Sequence, residues 1–133
     1  MINRYLSDLD TFISTNGAVT DVTIIRRDIR DTGMEKTALY RYRLKMNDGS
    51  IVELTERIVE EGGRLRMTKY RFHWQDRFGN LVKRWDNAPH HPEIETFPNH
   101  LHDGNENNVK KHQHCSALDM LTQVTERIQS TEK

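Results

Sequence analysis

Six of the seven histidines in the chain fall between positions 90 and 114, as His90-His91, His100-x-His102 and His112-x-His114. Imidazole titrates near neutrality, so it can both take and give a proton there. A general base, a general acid and a cation that steadies an anionic phosphorane are what a 2′-hydroxyl needs to cleave RNA without a metal. The candidates for that chemistry are His90 or His91 as base and His100 or His102 as acid. Arg84, immediately before Trp85-Asp86, lies on the path into the same segment. Two other readings of these histidines stand beside this one. They can be surface or carbonyl-bonding side chains. Alternatively, the His-x-His pairs, each with both imidazoles on one strand face, can gather a metal with Asp86 or Asp103 as third ligand.

A second candidate is a basic face. Residues 64–84 carry Arg64, Arg66, Lys69, Arg71, Arg77, Lys83 and Arg84 against Asp76 alone. Lys69, Arg71 and His73 alternate with Tyr70, Phe72 and Trp74, and Arg41, Arg43 and Lys45 alternate with Tyr42 and Leu44. Both basic sets project away from the aromatic face, so phosphates can lie across them. Glu53 and Glu56 on the intervening strand can neutralise part of that surface by cross-strand pairing. Trp74 shares its parity with Tyr70 and Phe72 and is expected in the core, whereas Trp85, at a strand end, is a candidate for stacking on a base. Cys115 reads as a small packing residue beside a helix cap. As the single cysteine, it excludes an internal disulfide, a CxxC pair and a multi-cysteine zinc site.

The elements that must position these groups follow from periodicity. Ile2, Leu6, Leu9 and Ile13 have helical spacing, and Asn16-Gly17 can end the helix in a left-handed conformation, predicting a helix over residues 2–15. The period then changes to two. Strands over Val19 to Ile29, residues 38–46, Ile51 to Val59, Arg66 to Gln75 and Leu81 to Trp85 are punctuated by Asn47-Asp48-Gly49, Gly62-Gly63 and Gly79-Asn80. Such short turns make an antiparallel five-stranded meander, within residues 19–86, the economical topology. Residues 87–114 form a His-rich loop with three prolines and a polar run at Asp103 to Asn108; loops of this length are usually functional or disordered. Ser116 can then cap a C-terminal helix over 116–129, with the apolar stripe Ala117, Met120, Leu121, Val124 and Ile128. The expected fold class is α+β, with both helices packed on the sheet.

The 133 residues suit a single domain, 1–133, and 10 aromatics among recurrent Val, Ile and Leu argue against disorder despite 30% charged residues. Lys+Arg and Asp+Glu are both 20, so attraction to nucleic acid must be local rather than global. No apolar run reaches membrane-spanning length, and the first residues lack the order of a secretion signal. A soluble, cytoplasmic protein without a cofactor is expected.

The stretch Tyr70-Arg71-Phe72-His73-Trp74-Gln75-Asp76, then Gly79, then Arg84-Trp85-Asp86-Asn87-Ala88-Pro89-His90-His91-Pro92 and Thr96-Phe97-Pro98, resembles the TumE family. The resemblance spans about residues 38 to 128 and is strongest at the RWDNAPHHP string. It implies the toxin half of a bacterial or archaeal type II toxin-antitoxin pair, growth-inhibiting and neutralised by a cognate antitoxin that often carries a helix-turn-helix domain. It implies no reaction. The ribonuclease expectation comes from analogy with other small α+β toxins and from the residues: His90, His91, His100 and His102 for proton transfer, Arg84, Arg71 and Lys69 on phosphate, and Trp85 on a base. The alternatives are a non-catalytic module that binds nucleic acid or protein, and a metal-dependent nuclease using the His-x-His pairs.

Overall fold

A computed structural model describes residues 1–131. The chain runs α1 (Ile2–Ser14), β1 (Val19–Asp31), β2 (Lys36–Met46), β3 (Ile51–Glu61), β4 (Arg64–Gln75), β5 (Leu81–Asp86), β6 (His100–Asp103), β7 (Val109–Lys111) and α2 (Ala117–Thr131). The strands form one open sheet in sequence order, and each neighbouring pair is antiparallel. The α+β class and the meander follow the expectation, but the sheet has seven strands rather than five. The two additional strands lie inside the segment expected to be loop. They are four and three residues long, and β6 carries histidine on both sides of Leu101, so neither presents the apolar alternation that marks a strand in sequence.

Both helices dock on one face of the sheet. Ile2, Leu6, Leu9 and Ile13 of α1, and Ala117, Met120, Leu121, Val124 and Ile128 of α2, are buried as their spacing requires. They meet Tyr40, Tyr42, Leu44, Val52, Leu54, Ile58, Tyr70 and Phe72 from the strands. Each fully buried aliphatic or phenyl side chain contributes about 1.5–3 kcal/mol relative to exposure. At the N-terminal end of α2 the Asp119 N–H donates to Ser116 Oγ, as the expected cap requires. The end of α1 differs from expectation. Thr15 stays right-handed and Gly17 is absent from the positive-φ residues, because Asn16 Oδ1 accepts the Ala18 N–H and turns the chain without a left-handed residue. The hairpin at Asn47-Asp48-Gly49 does use one, with Gly49 at φ 86°.

Alternation fixes the opposite, helix-free face. The cross-strand register aligns Arg71, Asp86 and His100 in one row, and His73, Arg84 and His102 in the next. Trp85 lies between these rows on the helix side, paired with Phe72 and Leu101 and only 1% exposed. This corrects its expected role: Trp85 is a core residue and stacks on no base. Trp74, at 4%, is core as expected.

Candidate active site

Asp86, the last residue of β5, is the hub of the outer face. Its Oδ1 accepts the Ala88 N–H at 3.0 Å, fixing the carboxylate at the turn out of the strand. His100 Nε2 lies 2.9 Å from Oδ1, His102 Nε2 lies 3.6 Å from Oδ2, and Arg84 Nε donates to Oδ2 at 3.3 Å. Strand pairing delivers these groups, because β5 and β6 place Asp86 opposite His100 and Arg84 opposite His102.

The other ring nitrogens are held by backbone carbonyls. His100 Nδ1 is 2.9 Å from Pro98 O, and His102 Nδ1 is 2.9 Å from Glu106 O. A carbonyl only accepts, so each Nδ1 carries the proton. His102, 3.6 Å from the nearest Asp86 oxygen, therefore has an Nε2 lone pair available in its neutral form. Burial, with Arg84 nearby, lowers the His102 pKa below that of ordinary imidazole, which keeps the ring neutral and basic near pH 7. His100 is held at both ring nitrogens, with Nδ1 at Pro98 O and Nε2 2.9 Å from Asp86 Oδ1.

Residues 87–99 fold back over this face and bring His91 against both rings, with centroids 5.0 Å from His100 and 5.8 Å from His102. The segment is pinned by Asn87, which accepts the Tyr70 N–H and donates to Thr68 O, and by Asn99, which accepts from the Tyr70 hydroxyl. His91 is half-buried, and its Nδ1 is 3.2 Å from Glu93 Oε1. The donor atoms of His91, His100 and His102 lie within 4.8 Å of one another, close enough to converge on a divalent transition ion as well as to exchange protons. These groups line a cleft of about 500 Å³ together with Lys69, Arg71, Arg84, His90 and Glu106.

Three of the four expected histidines thus meet, while His90 sits exposed on the rim. Lys69 and Arg71 line the cleft and enter no ion pair among the described residues. Arg84 is engaged twice, by Asp86 and by both oxygens of Glu106 at 2.6 and 2.5 Å. The second His-x-His pair is not part of the cluster: His112 Nδ1 faces Gln113 O, and His114 lies edge-on to Tyr70. Asp103, on the helix-side parity, pairs with Lys110 and cannot be the third ligand considered from sequence. Of the acids expected on the basic face, Glu53 is there and receives both Arg41 and Arg43. Glu56 is on the opposite face, fully buried, where its Oε1 accepts from the Tyr5 and Tyr40 hydroxyls. The central position of Asp86 and the clamp by Glu106 are the features sequence reasoning missed. Asp86 stood inside the RWDNAPHHP string, but the string alone does not reveal which histidines the register sets beside it.

The fold and cleft together define a small two-layer α+β protein with a histidine–carboxylate–arginine centre on its open sheet face. A family model described as Toxin TumE matches residues 10–130, and the chain belongs to that toxin family. No curated protein and no solved structure matches the chain. No helix among the described residues is long and apolar enough to cross a membrane.

Proposed function

We propose that this toxin is a metal-independent endoribonuclease and that the His91, His100, His102 and Asp86 cluster is its catalytic centre. The observation that carries the reading is the juxtaposition of a neutral imidazole with a bare Nε2, on His102, and two further imidazoles in a cleft that also presents unpaired Lys69 and Arg71. His102 Nε2 takes the proton of a ribose 2′-hydroxyl, and the 2′-oxygen attacks the adjacent phosphorus. The bond from phosphorus to the 5′-oxygen breaks, and His91, held by Glu93, gives that oxygen its proton. The products are a 2′,3′-cyclic phosphate and a 5′-hydroxyl, so atoms and charge balance. Lys69 and Arg71 neutralise the phosphorane, a stabilisation available only to groups already in place. His100 positions Asp86, and Asp86 positions Arg84. This assignment gives His102 the base role and His91 the acid role, the reverse of the order expected from sequence.

As a toxin the protein has an antitoxin as its natural partner, and we take that partner to be a protein encoded as a pair with it, with a helix-turn-helix domain. The cytoplasm is the compartment in which both the RNA and such a partner are found.

The test is cleavage of total cellular RNA by the purified protein in excess EDTA, beside His91→Ala and His102→Ala variants. Cleavage by wild type alone, leaving cyclic phosphate ends, is the expected result. Cleavage that stops with EDTA and returns with one metal would move the reading to the metal-dependent alternative, for which the three converging histidines are the observation. Growth arrest undiminished in both folded variants would reject the site.

A further inference from the structure

The catalytic cleft does not end at Lys69 and Arg71. The same two residues line a second cleft, of about 410 Å³, which runs over Thr55 and Arg41 to Leu39, Arg26 and Ile25. Leu39 and Arg26 in turn line a third, of about 230 Å³, which contains Arg30 and Arg57. Shared walls make the three one groove across the outer face from β6 to β1. At about 4.8 Å per strand, its span across the sheet is roughly 24 Å.

Its charge is one-sided. Outside the histidine cleft, whose own acids Asp86 and Glu106 are both held by Arg84, the lining residues include the cations Lys69, Arg71, Arg41, Arg26, Arg57 and Arg30, with Asp28 the acid in that part of the groove. Arg26 is held by Asp28 and Arg41 by Glu53, but Arg30, Arg57, Lys69 and Arg71 enter no ion pair among the described residues. The aromatic residues in its lining, Tyr40 and Tyr70, are buried in the core, so the described residues offer no exposed ring there for stacking. Leu39 and Ile25 supply apolar contact instead.

Resting on the ribonuclease reading, we propose that this groove is the binding track for single-stranded RNA flanking the scissile bond, so that the substrate is an extended strand rather than a dinucleotide. Phosphates are held by the four unpaired cations, and a track of this chemistry selects for backbone rather than base identity. Residues 87–99 cover the histidine end, whereas the β1 end of the face is exposed, so a strand can enter from that side and run toward the cleft.

The test compares wild type with the variant Arg30→Gln/Arg57→Gln, which removes two cations that hold no carboxylate and lie outside the histidine cleft. The probe is a fluorescein-labelled 2′-O-methyl RNA of about twelve nucleotides, which lacks the attacking hydroxyl and so reports binding alone. By anisotropy over a salt series, the variant is expected to bind about tenfold more weakly. Its plot of log affinity against log salt should be shallower by about 1.4, the counterions of two phosphates on a single strand. Arg30→Lys/Arg57→Lys should restore most of both. Equal affinity and slope in wild type and the Gln variant would overturn the track, as would absence of salt-dependent binding by wild type. Cleavage of a dinucleotide should proceed at the same rate in both proteins. If neither cleaves any RNA while the Gln variant still binds the long probe more weakly, the track stands and the ribonuclease reading falls. If binding of the probe is unaffected but an acidic protein partner is lost, the groove is a protein interface and the proposal is wrong.

Discussion

Both carboxylate oxygens of Glu106 face the two terminal nitrogens of Arg84, at 2.6 and 2.5 Å, on the wall of the histidine cleft. That bidentate geometry is the one a phosphate adopts on a guanidinium. Arg84 lowers the Glu106 pKa, so the carboxylate is charged at neutral pH and holds the fork. Replacing Glu106 by Gln should therefore tighten binding of inorganic phosphate roughly threefold to tenfold, an increment of about 0.7–1.4 kcal/mol on the affinity scale. The backbone carbonyl that orients His102 is untouched by this change. Titration calorimetry with phosphate reads the effect, and unchanged affinity would show that Arg84 takes no part in anion binding.

The three clustered histidines and the exposed one should separate in kinetics. His91→Ala and His102→Ala are each expected to lower RNA cleavage by about 10²–10⁴, the range for loss of a general acid or base. His90→Ala should leave it within about threefold, because His90 stands at the rim and outside the His91, His100, His102 contacts. Melting curves run alongside check that the folds are equal.

The acid limb of the activity profile should belong to His102. Its folded pKa is depressed below the usual imidazole value by burial, with Arg84 adding to the effect. The neutral base is present above that folded value and lost as pH falls through it, so kcat/KM should decline with a midpoint below about 6.5. The Arg84→Gln variant removes one of the lowering causes, which also include burial and His100, and should move the midpoint upward. A midpoint that stays put in Arg84→Gln would place the titration elsewhere.

Glu56 gives a pH-dependent term of the other sign. Burial raises its folded pKa against the opposing effect of the Tyr40 and Tyr5 hydroxyls, and its Oε2 has no hydrogen-bond partner. The folded state therefore holds this proton more tightly than the unfolded chain, whose carboxyl titrates near 4.3 by about the model-peptide value. Stability from this group is complete below that pH and is lost as pH rises through the raised folded value. Denaturation of wild type and Glu56→Gln at several pH values should show wild type losing ground to the variant as pH rises above ~4.3. Parallel curves would mean that Glu56 is ionised in the folded protein.

Much of the scaffold was legible because it is written in alternation. Tyr40, Tyr42, Leu44 and Met46 mark the helix side of β2, and Ile2, Leu6, Leu9 and Ile13 the sheet side of α1, and all are buried. The same rule also carried information that charge obscured. Glu56 shares the parity of Val52, Leu54 and Ile58, so its inward position was implied, although a carboxylate is the residue least expected there. The site was legible as a list of residue types and not as a geometry. His91 meets His100 and His102 because residues 87–99 return across the sheet, and no periodicity encodes that return. Asp86 beside His100, with Asp103 facing the other way, is a matter of register between β5 and β6. Trp85 was misplaced for the same reason: at a strand end, parity is known only once the partner strand is.

The register of β6 also decides how the toxin can be lost by mutation. Its side chains alternate with a period of two, so removing Asn99, just before the strand, turns it over. Both histidines then move to the helix side together, and a leucine enters the cleft in their place. Damage of this kind is all-or-none, unlike the graded loss from thinning the cations of the groove. Among survivors of a selection for escape from growth arrest, deletion of the Asn99 codon should therefore behave as a complete null, while substitutions of the groove cations Arg26, Arg30, Arg41 and Arg57 should yield partial alleles.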